Sequence, residues 1–331
     1  LHAISACRAT DEDARREGDG VDFELDDDQR QILEAVGALL ERHAGPARAS
    51  ELAQKSEYDF ALDTALAEAG FDEIVEPSTG EGALSGVLVV EAIGRAAGLS
   101  SYGFQAVVAP AVVGARLPGP VALAEAPSDQ PIRFGAHARS LLWVDGDTAR
   151  WCALEPGEVV SVRSGFGYPF GRVDPSVAVR GETLGEGSGD RLRSWWRLAV
   201  AAEAVGSMAA ALDQTVAYLK LRRQFGRPIA SFQAVQHRLA ECAIGVEGSR
   251  WLVYEAAHQR APDEATACAA AYALDTARLV FRETHQLSGA IGFTYQHDLH
   301  AWSMRLHALA AELGGVASHR RALADARWGL R

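Results

Sequence analysis

The stretch Tyr218-Leu-Lys-Leu-Arg-Arg-Gln-Phe-Gly-Arg-Pro-Ile-Ala-Ser-Phe-Gln-Ala-Val-Gln-His237 decides the fold of this chain. Apolar residues repeat at helical spacing before it, and the Phe225-Gly226 pair, followed by a proline, ends that helix sharply. Ser231 is a residue type that favours a helix N-cap, so a second helix is predicted to begin there. The stretch is therefore predicted to be a turn between two long helices, and this turn displays Arg222, Gln224 and Phe225.

Around this turn, the chain divides into three regions that differ in their pattern of apolar residues. Residues 22–117 have helical periodicity and predict an N-terminal helical bundle. Residues 118–189 contain short β-like runs separated by Pro, Gly and Asp, with Asp145-Gly146-Asp147 as the clearest hairpin signal, and predict about four to six strands. Residues 190–331 return to long helices. The predicted fold class is mainly α with a small, reduced β domain and a C-terminal four-helix bundle.

Composition narrows the class of protein. The 331 residues are 48% hydrophobic and 23% charged, which is typical of a soluble globular protein. The formal net charge of -12 disfavours a nucleic acid or an anionic membrane as partner. Residues 1–21 lack the apolar core of a signal peptide, and they are predicted to be a disordered leader on a cytoplasmic protein, or the product of a start codon placed too early.

No metal site is predicted from the histidines and cysteines. The four cysteines are widely scattered, without a spacing that suits a metal, and reduced thiols are the simplest interpretation. His297, His300 and His307 are close in sequence, but such a group is more typical of solvated or capping histidines.

Two motifs carry a family resemblance. Arg222-Arg-Gln-Phe-Gly226, followed by Phe232-Gln-Ala-Val-Gln236, resembles the flavin-contacting turn of the acyl-CoA dehydrogenases. Gln286-Leu-Ser-Gly-Ala-Ile-Gly-Phe293 resembles a second turn of that family, with Ala290 where the family usually has glycine. The resemblance implies the acyl-CoA dehydrogenase architecture, FAD as cofactor and an acyl-CoA as substrate. The FAD-contacting residues that it implies, across a subunit boundary, are Arg222, Gln224, Phe225, Gln233, Gln286, Gly289 and Ala290.

The catalytic base of that family is missing from its expected positions. The family removes a proton from the α-carbon of an acyl-CoA thioester with a carboxylate that desolvation makes more basic. The resemblance places Gly314 at one known position of this carboxylate and Trp196 at the other. Glu312 lies two residues from Gly314, on what is predicted to be helix, and is a weak candidate. Glu203 lies two turns beyond Trp196, and both acids are predicted to be surface carboxylates.

Three hypotheses follow from the missing base. The first is that the chain resembles the short, base-less subunit of actinobacterial α2β2 steroid-type acyl-CoA dehydrogenases. It would then contribute to an FAD shared with a homologous catalytic subunit, with an electron-transfer flavoprotein as electron acceptor and a steroid-derived acyl group as the suggested substrate. The second is a self-sufficient homo-oligomeric enzyme with a relocated base, Glu312. The third is a non-enzymatic scaffold with a vestigial FAD fold.

Overall fold

The computed structural model describes residues 25–329, and its first region is helical as predicted. Its helices are α1 Asp27–His43, α2 Pro46–Lys55, α3 Phe60–Glu68, α4 Gly80–Arg95 and, after a π-helical segment at Gly103–Val108, α5 Ala109–Val113. Asp26 caps α1, and its side chain and that of Gln29 each accept a hydrogen bond from the other residue's backbone N–H. Helix α2 was not predicted from the sequence, because this helix has few large apolar residues and only its Ala49 is fully buried. The predicted disordered leader lies outside the described residues.

The middle region contains two small sheets. Its strands are β1 Val121–Ala124, β2 Ile132–Arg133, β3 Ser140–Asp145, β4 Thr148–Ala153, β5 Val159–Val162, β6 Phe170–Val173 and β7 Glu182–Thr183. One sheet has the order β1-β3-β4-β7 and the other β2-β6-β5. Strands β3 and β4 pair as an antiparallel hairpin through Asp145↔Thr148, which confirms the predicted turn. The described residues of this region thus form seven strands, slightly more than predicted.

The third region is a bundle of long helices, α6 Ser188–Leu221, α7 Gln233–His258, α8 Asp263–Ser288, α9 His300–Leu309 and α10 Gly315–Trp328. Between α6 and α7 lies a short hairpin of β8 Arg223–Gln224 and β9 Arg227–Pro228. The predicted N-cap at Ser231 is wrong, because its hydroxyl donates to the carbonyl of Pro228. Phe232 occupies the cap position of α7 without a side-chain hydrogen bond.

Helix α6 lies at the centre of the molecule. Its middle residues are buried all round, including Ala201, Ala202 and Val205, and it packs against both α4 and α8. The contact with α4 brings backbone against backbone, since a Cβ at Gly206 would meet the Glu91 carbonyl oxygen at 2.0 Å. The N-terminal and C-terminal bundles therefore share one continuous hydrophobic core. Among residues 25–329, no helix is long and apolar enough to span a membrane.

Candidate active site

The first motif forms a tight hairpin that projects from the end of α6. Phe225 and Gly226 both have positive φ angles, of 54° and 79°, as a two-residue hairpin turn of type I′ requires. The structure thus confirms a turn between two helices and refines it to a β-hairpin. Arg222, Gln224 and Phe225 are exposed, and the Phe225 side chain is 91% exposed. The structure leaves these three side chains free to contact another molecule.

The second motif lies at the end of α8. Gln286 is exposed in the last turn of this helix, and Gly289 follows with a positive φ of 65°. A Cβ at Gly289 would have open space around it, and Ala290 is exposed in the same short 3₁₀ turn. Gly292, by contrast, is needed for packing, because a Cβ there would meet the Cβ of Ser288 at 2.8 Å. The alanine at position 290 is therefore accommodated without a clash.

Both motifs lie at the same end of the C-terminal bundle. Helices α6 and α8 run in the same direction, and near their beginnings Arg197 forms an ion pair of 2.5 Å with Asp263. Near their ends, the rings of Tyr218 and His297 are 5.3 Å apart. Gln233 is exposed at the start of α7, directly after the hairpin. All seven residues of the predicted FAD-contacting set therefore lie near one end of the bundle.

These residues fit the chemistry of a flavin dinucleotide. An arginine guanidinium offers paired donors for a phosphate, and the glutamine amides offer further donors and acceptors. The open space at Gly289 lets the backbone approach a bulky ligand closely, and the exposed ring of Phe225 supplies an apolar face. These side chains are exposed and face away from the protein's own core. Among the described residues, therefore, nothing covers the opposite side of a cofactor bound at this end of the bundle.

The predicted surface positions of Glu203 and Glu312 are wrong. The side chains of Glu203 and Glu312 are only 10% and 13% exposed, and Arg133 joins them. Its Nη1 donates to Glu203 Oε2 at 2.5 Å, and its Nε donates to Glu312 Oε1 at 2.5 Å. The two remaining carboxylate oxygens accept hydrogen bonds from the Tyr168 hydroxyl, at 2.6 Å, and from the Trp196 indole. We call Arg133, Glu203, Glu312, Tyr168 and Trp196 the Arg133 cluster.

Glu312 lies in a turn rather than on a helix, contrary to the prediction. Helix α9 ends at Leu309, and Glu312–Gly314 form a 3₁₀ turn in which Leu313 and Gly314 have positive φ angles. This turn brings Glu312 to the indole of Trp196. The two positions at which the sequence resemblance expects a base, 196 and 314, are therefore close together in the fold.

Burial and the neighbouring guanidinium act on Glu312 in opposite directions. Desolvation raises the pKa of the Glu312 carboxyl, and Arg133 and the indole donor of Trp196 offset part of that rise. For Arg133, burial alone would lower the pKa, but Glu203 and Glu312 outweigh it and the net shift is upward. The guanidinium is further enclosed by aromatic rings, with its central carbon 4.5 Å from the centre of Phe104.

Arg133 is the residue that sequence reasoning missed. It lies in a two-residue strand, 70 residues from Glu203 and 179 from Glu312 along the chain. The adjacent Phe134 has a positive φ of 64°, unusual for a bulky residue, and it is 1% exposed. The only local signal was an arginine inside an apolar β-like segment, which is too weak to predict a buried ion pair.

A cavity of about 750 Å³ adjoins the Arg133 cluster. Arg305 lines this cavity and also lies over the ring of Tyr168, with its guanidinium carbon 5.0 Å from the ring centre. His285 lines it too, between the rings of Phe281 and Phe293, and neither of its ring nitrogens has a hydrogen-bond partner. Among the described residues that line the cavity there is no Asp or Glu. It offers hydrogen-bond donors and aromatic surface but no carboxylate.

Comparisons with known proteins agree with this architecture. Residues 193–326 match the family model described as "Acyl-CoA dehydrogenase, C-terminal domain". The chain is also 31% identical, over 318 residues, to "Acyl-CoA dehydrogenase IpdE2" of Mycobacterium tuberculosis, with 91% of this chain and 98% of that protein covered. The chain belongs to the acyl-CoA dehydrogenase family. The family resemblance of its motifs is thereby confirmed.

Solved structures confirm the predicted fold class. The ChsE4-ChsE5 complex from Mycobacterium tuberculosis contains a chain with a TM-score of 0.75 and 20% identity, covering 92% of this chain and 98% of that one. The Tcur3481-Tcur3483 steroid acyl-CoA dehydrogenase variant G363A gives 0.76 and 22%, covering 90% and 97%. Other solved neighbours of this acyl-CoA dehydrogenase fold are FAD complexes, which supports the expectation of FAD as the cofactor.

Proposed function

We propose that this chain is a subunit of an FAD-dependent acyl-CoA dehydrogenase and contributes to an FAD held mainly by a homologous subunit. The observation that carries the proposal is a contrast between two parts of the chain. The residues that resemble the family's flavin contacts are exposed at one end of the bundle, with Phe225 91% exposed. The two carboxylates nearest the expected positions of the base are buried and ion-paired.

The reaction is the α,β-desaturation of an acyl-CoA thioester. A carboxylate of the partner subunit would remove the proton from the α-carbon, and FAD, when bound, would supply the acceptor for the hydride that leaves the β-carbon. This chain's share is binding and orientation. Arg222 would hold the pyrophosphate, Gln224 and Gln286 would offer donors to phosphate or ribose oxygens, and Phe225 would cover an apolar part of the cofactor.

Local charge overcomes the unfavourable overall charge of the chain. The formal net charge is -12, which would repel an anionic dinucleotide, but Arg222, Arg223 and Arg227 are all exposed at the hairpin. Exposed charges more than about 10 Å apart are largely screened at 0.1 M salt, so these arginines dominate the field at a ligand beside them. We expect flavin retention in the assembled enzyme to weaken as the salt concentration rises.

The partner is a homologous acyl-CoA dehydrogenase subunit that carries the base, in an assembly of the α2β2 kind. Structural similarity to chains of the ChsE4-ChsE5 complex and of a steroid acyl-CoA dehydrogenase supports such a partner and favours a steroid-derived acyl group. We further propose a cytoplasmic location and an electron-transfer flavoprotein as the acceptor of the electrons from the reduced FAD.

A self-sufficient enzyme with Glu312 as base finds less support. Both oxygens of Glu312 already accept hydrogen bonds, from Arg133 and from Trp196, so a substrate proton would have to displace one of these donors, even though burial raises the pKa of this carboxyl. The neighbouring cavity contains no other carboxylate among its described residues.

The test is to purify the chain alone and together with a base-bearing homologue, and to measure flavin absorbance and acyl-CoA oxidation. We expect little flavin and no turnover in the lone chain, and both in the complex. Arg222→Gln in the complex should weaken FAD binding about tenfold or more, because a charge-assisted hydrogen bond is lost. The matched control is Arg42→Gln, an exposed arginine on α1, which should change nothing.

Two outcomes contradict the proposal. Strong flavin binding and full activity of the lone chain favour the self-sufficient enzyme. Failure to bind flavin or acyl-CoA beside any base-bearing homologue favours the scaffold.

A further inference from the structure

The Arg133 cluster joins the middle region of the chain to the C-terminal bundle. Arg133 comes from β2 and Tyr168 from the segment before β6, while Glu203 and Trp196 lie on α6. Glu312 lies in the turn between α9 and α10. Residues from the small sheets, the central helix and the last turn of the bundle are thus joined by four hydrogen bonds.

Every carboxylate oxygen in the cluster has a donor. Glu203 accepts from Arg133 and Tyr168, and Glu312 accepts from Arg133 and Trp196. A general base needs an oxygen that faces the proton it removes, within hydrogen-bond distance. In this arrangement each oxygen of both acids is already engaged by a donor, so neither acid presents an unengaged oxygen to a substrate.

The space around the guanidinium is filled by rings. Three ring centres lie near the central carbon of the Arg133 guanidinium: that of Phe104 at 4.5 Å, that of Phe134 at 5.0 Å and that of Tyr168 at 4.9 Å. Arg133 is only 4% exposed, and among the described residues its Nη2 has no hydrogen-bond partner. The three rings and the low exposure together indicate a tightly packed site around the guanidinium.

We propose that Arg133 fills the space where the small sheets meet the C-terminal bundle, with Glu203 and Glu312 as its structural counter-ions. This inference rests on the proposed function and deepens it, because desaturation then takes place only in the partner's cleft. The formal charges balance within the site, since the buried Arg305 beside Tyr168 matches the second carboxylate.

If Glu203 and Glu312 are counter-ions of Arg133, substitutions at these residues should change the free energy of unfolding in a specific pattern. Removing one member of a buried ion pair leaves the other charge uncompensated, which is strongly destabilising. Replacing all members by neutral residues of similar size is often tolerated, because no buried charge remains. The three residues should therefore behave as a unit, whereas a catalytic carboxylate is needed for turnover whatever its neighbours are.

The first experiment is a set of urea denaturation curves on the chain itself. Arg133→Met, Glu203→Gln and Glu312→Gln should each lower the urea midpoint clearly, and the double variant Arg133→Met/Glu312→Gln, in which Glu203 and Arg305 still balance, should recover most of the loss. Glu34→Gln, at an exposed position on α1, is the control and should leave the midpoint unchanged. Single variants that are as stable as the wild type, or a double variant that is no better than the worse of its two single variants, would overturn the inference.

The second experiment measures acyl-CoA oxidation by whichever assembly is active. With Glu312→Gln or with the double variant Arg133→Met/Glu312→Gln, the turnover number per active assembly should stay within about twofold of the wild-type value. Loss of a true general base costs about 10²- to 10⁴-fold, so such a drop in a folded variant would refute the counter-ion role. If the lone chain is active, the proposed partnership is wrong, and the same Glu312→Gln assay on the lone chain still decides whether Glu312 is a counter-ion or a base.

Discussion

The close contact between α4 and α6 allows the effect of Gly206→Ala on stability to be worked out from interatomic distances. Gly206 lies on α6 against α4, and an added Cβ would meet the Glu91 carbonyl oxygen at 2.0 Å and the Arg95 nitrogen at 2.7 Å. Gly94 on α4 makes the reciprocal approach, with a Cβ 2.6 Å from the Glu203 carbonyl oxygen. Both neighbours are helix backbone, so neither can turn aside as a side chain would.

Gly206→Ala must therefore separate the two helices. Ordinary contact begins at 3.4 Å, and the helices have to move apart by about 1.4 Å to reach it. Overpacking usually costs about 1–3 kcal/mol, and because rigid backbone has to move we expect about 3 kcal/mol here. This far exceeds the gain of about 1 kcal/mol that alanine normally brings over glycine within a helix.

The assay is urea denaturation of Gly206→Ala beside Gly37→Ala. Gly37 lies within α1, and a Cβ there would meet no atom within 4 Å. The control should therefore gain stability by about 1 kcal/mol, from helix propensity alone. A Gly206→Ala variant as stable as the wild type would refute the claim of backbone contact between α4 and α6. Equal losses in both variants would show that the effect is not specific to that contact.

Three further predictions concern single side chains. Phe225→Asn should stabilise the lone chain by about 1 kcal/mol in urea denaturation, because asparagine tolerates the left-handed turn position better, and it should weaken FAD binding by the assembled enzyme. Burial raises the pKa of Asp63 to about 6, so the folded chain binds the carboxyl proton more tightly than the unfolded chain does. The free energy of unfolding should therefore fall by about 2–3 kcal/mol as the pH rises from 4 to 6. Asp63→Asn should remove that part of the pH dependence in thermal unfolding, and an unchanged profile would contradict it. Trp196→Phe should cost about 1–3 kcal/mol in urea, since it removes the indole donor from a buried oxygen of Glu312.

Local patterns in the sequence predicted the main elements well. The hairpin between β3 and β4 followed from Asp145-Gly146-Asp147, and α8 follows Pro262 as expected. Such signals work because turn geometry and helix ends depend on a few adjacent residues. The same reasoning failed at Ser231, whose hydroxyl found a nearer carbonyl partner in Pro228.

The sequence predicted the exposed first motif of the candidate site but not the buried ion pairs of Arg133, and the reason is physical. The first motif could be recognised because its residues are contiguous and displayed by one tight turn. Glu203 and Glu312 were placed at the surface because most carboxylates are exposed, and that expectation fails when a buried partner exists. The partner, Arg133, is 70 and 179 residues away from them along the chain, so only the fold brings the three together.

The Arg133 cluster also bears on whether this chain could serve as its own catalyst. Freeing Glu312 to act as a base would require its hydrogen bond from Arg133 to be broken. Arg133 would then keep only Glu203 as a counter-ion, with one more guanidinium donor unsatisfied among aromatic rings. Since breaking a buried pair is costly, no single substitution at Arg133, Glu203 or Glu312 gives both a carboxylate released from Arg133 and a balanced core. We therefore expect a chain with this core to supply cofactor contacts from its exposed turns, while the proposed partner subunit supplies the base.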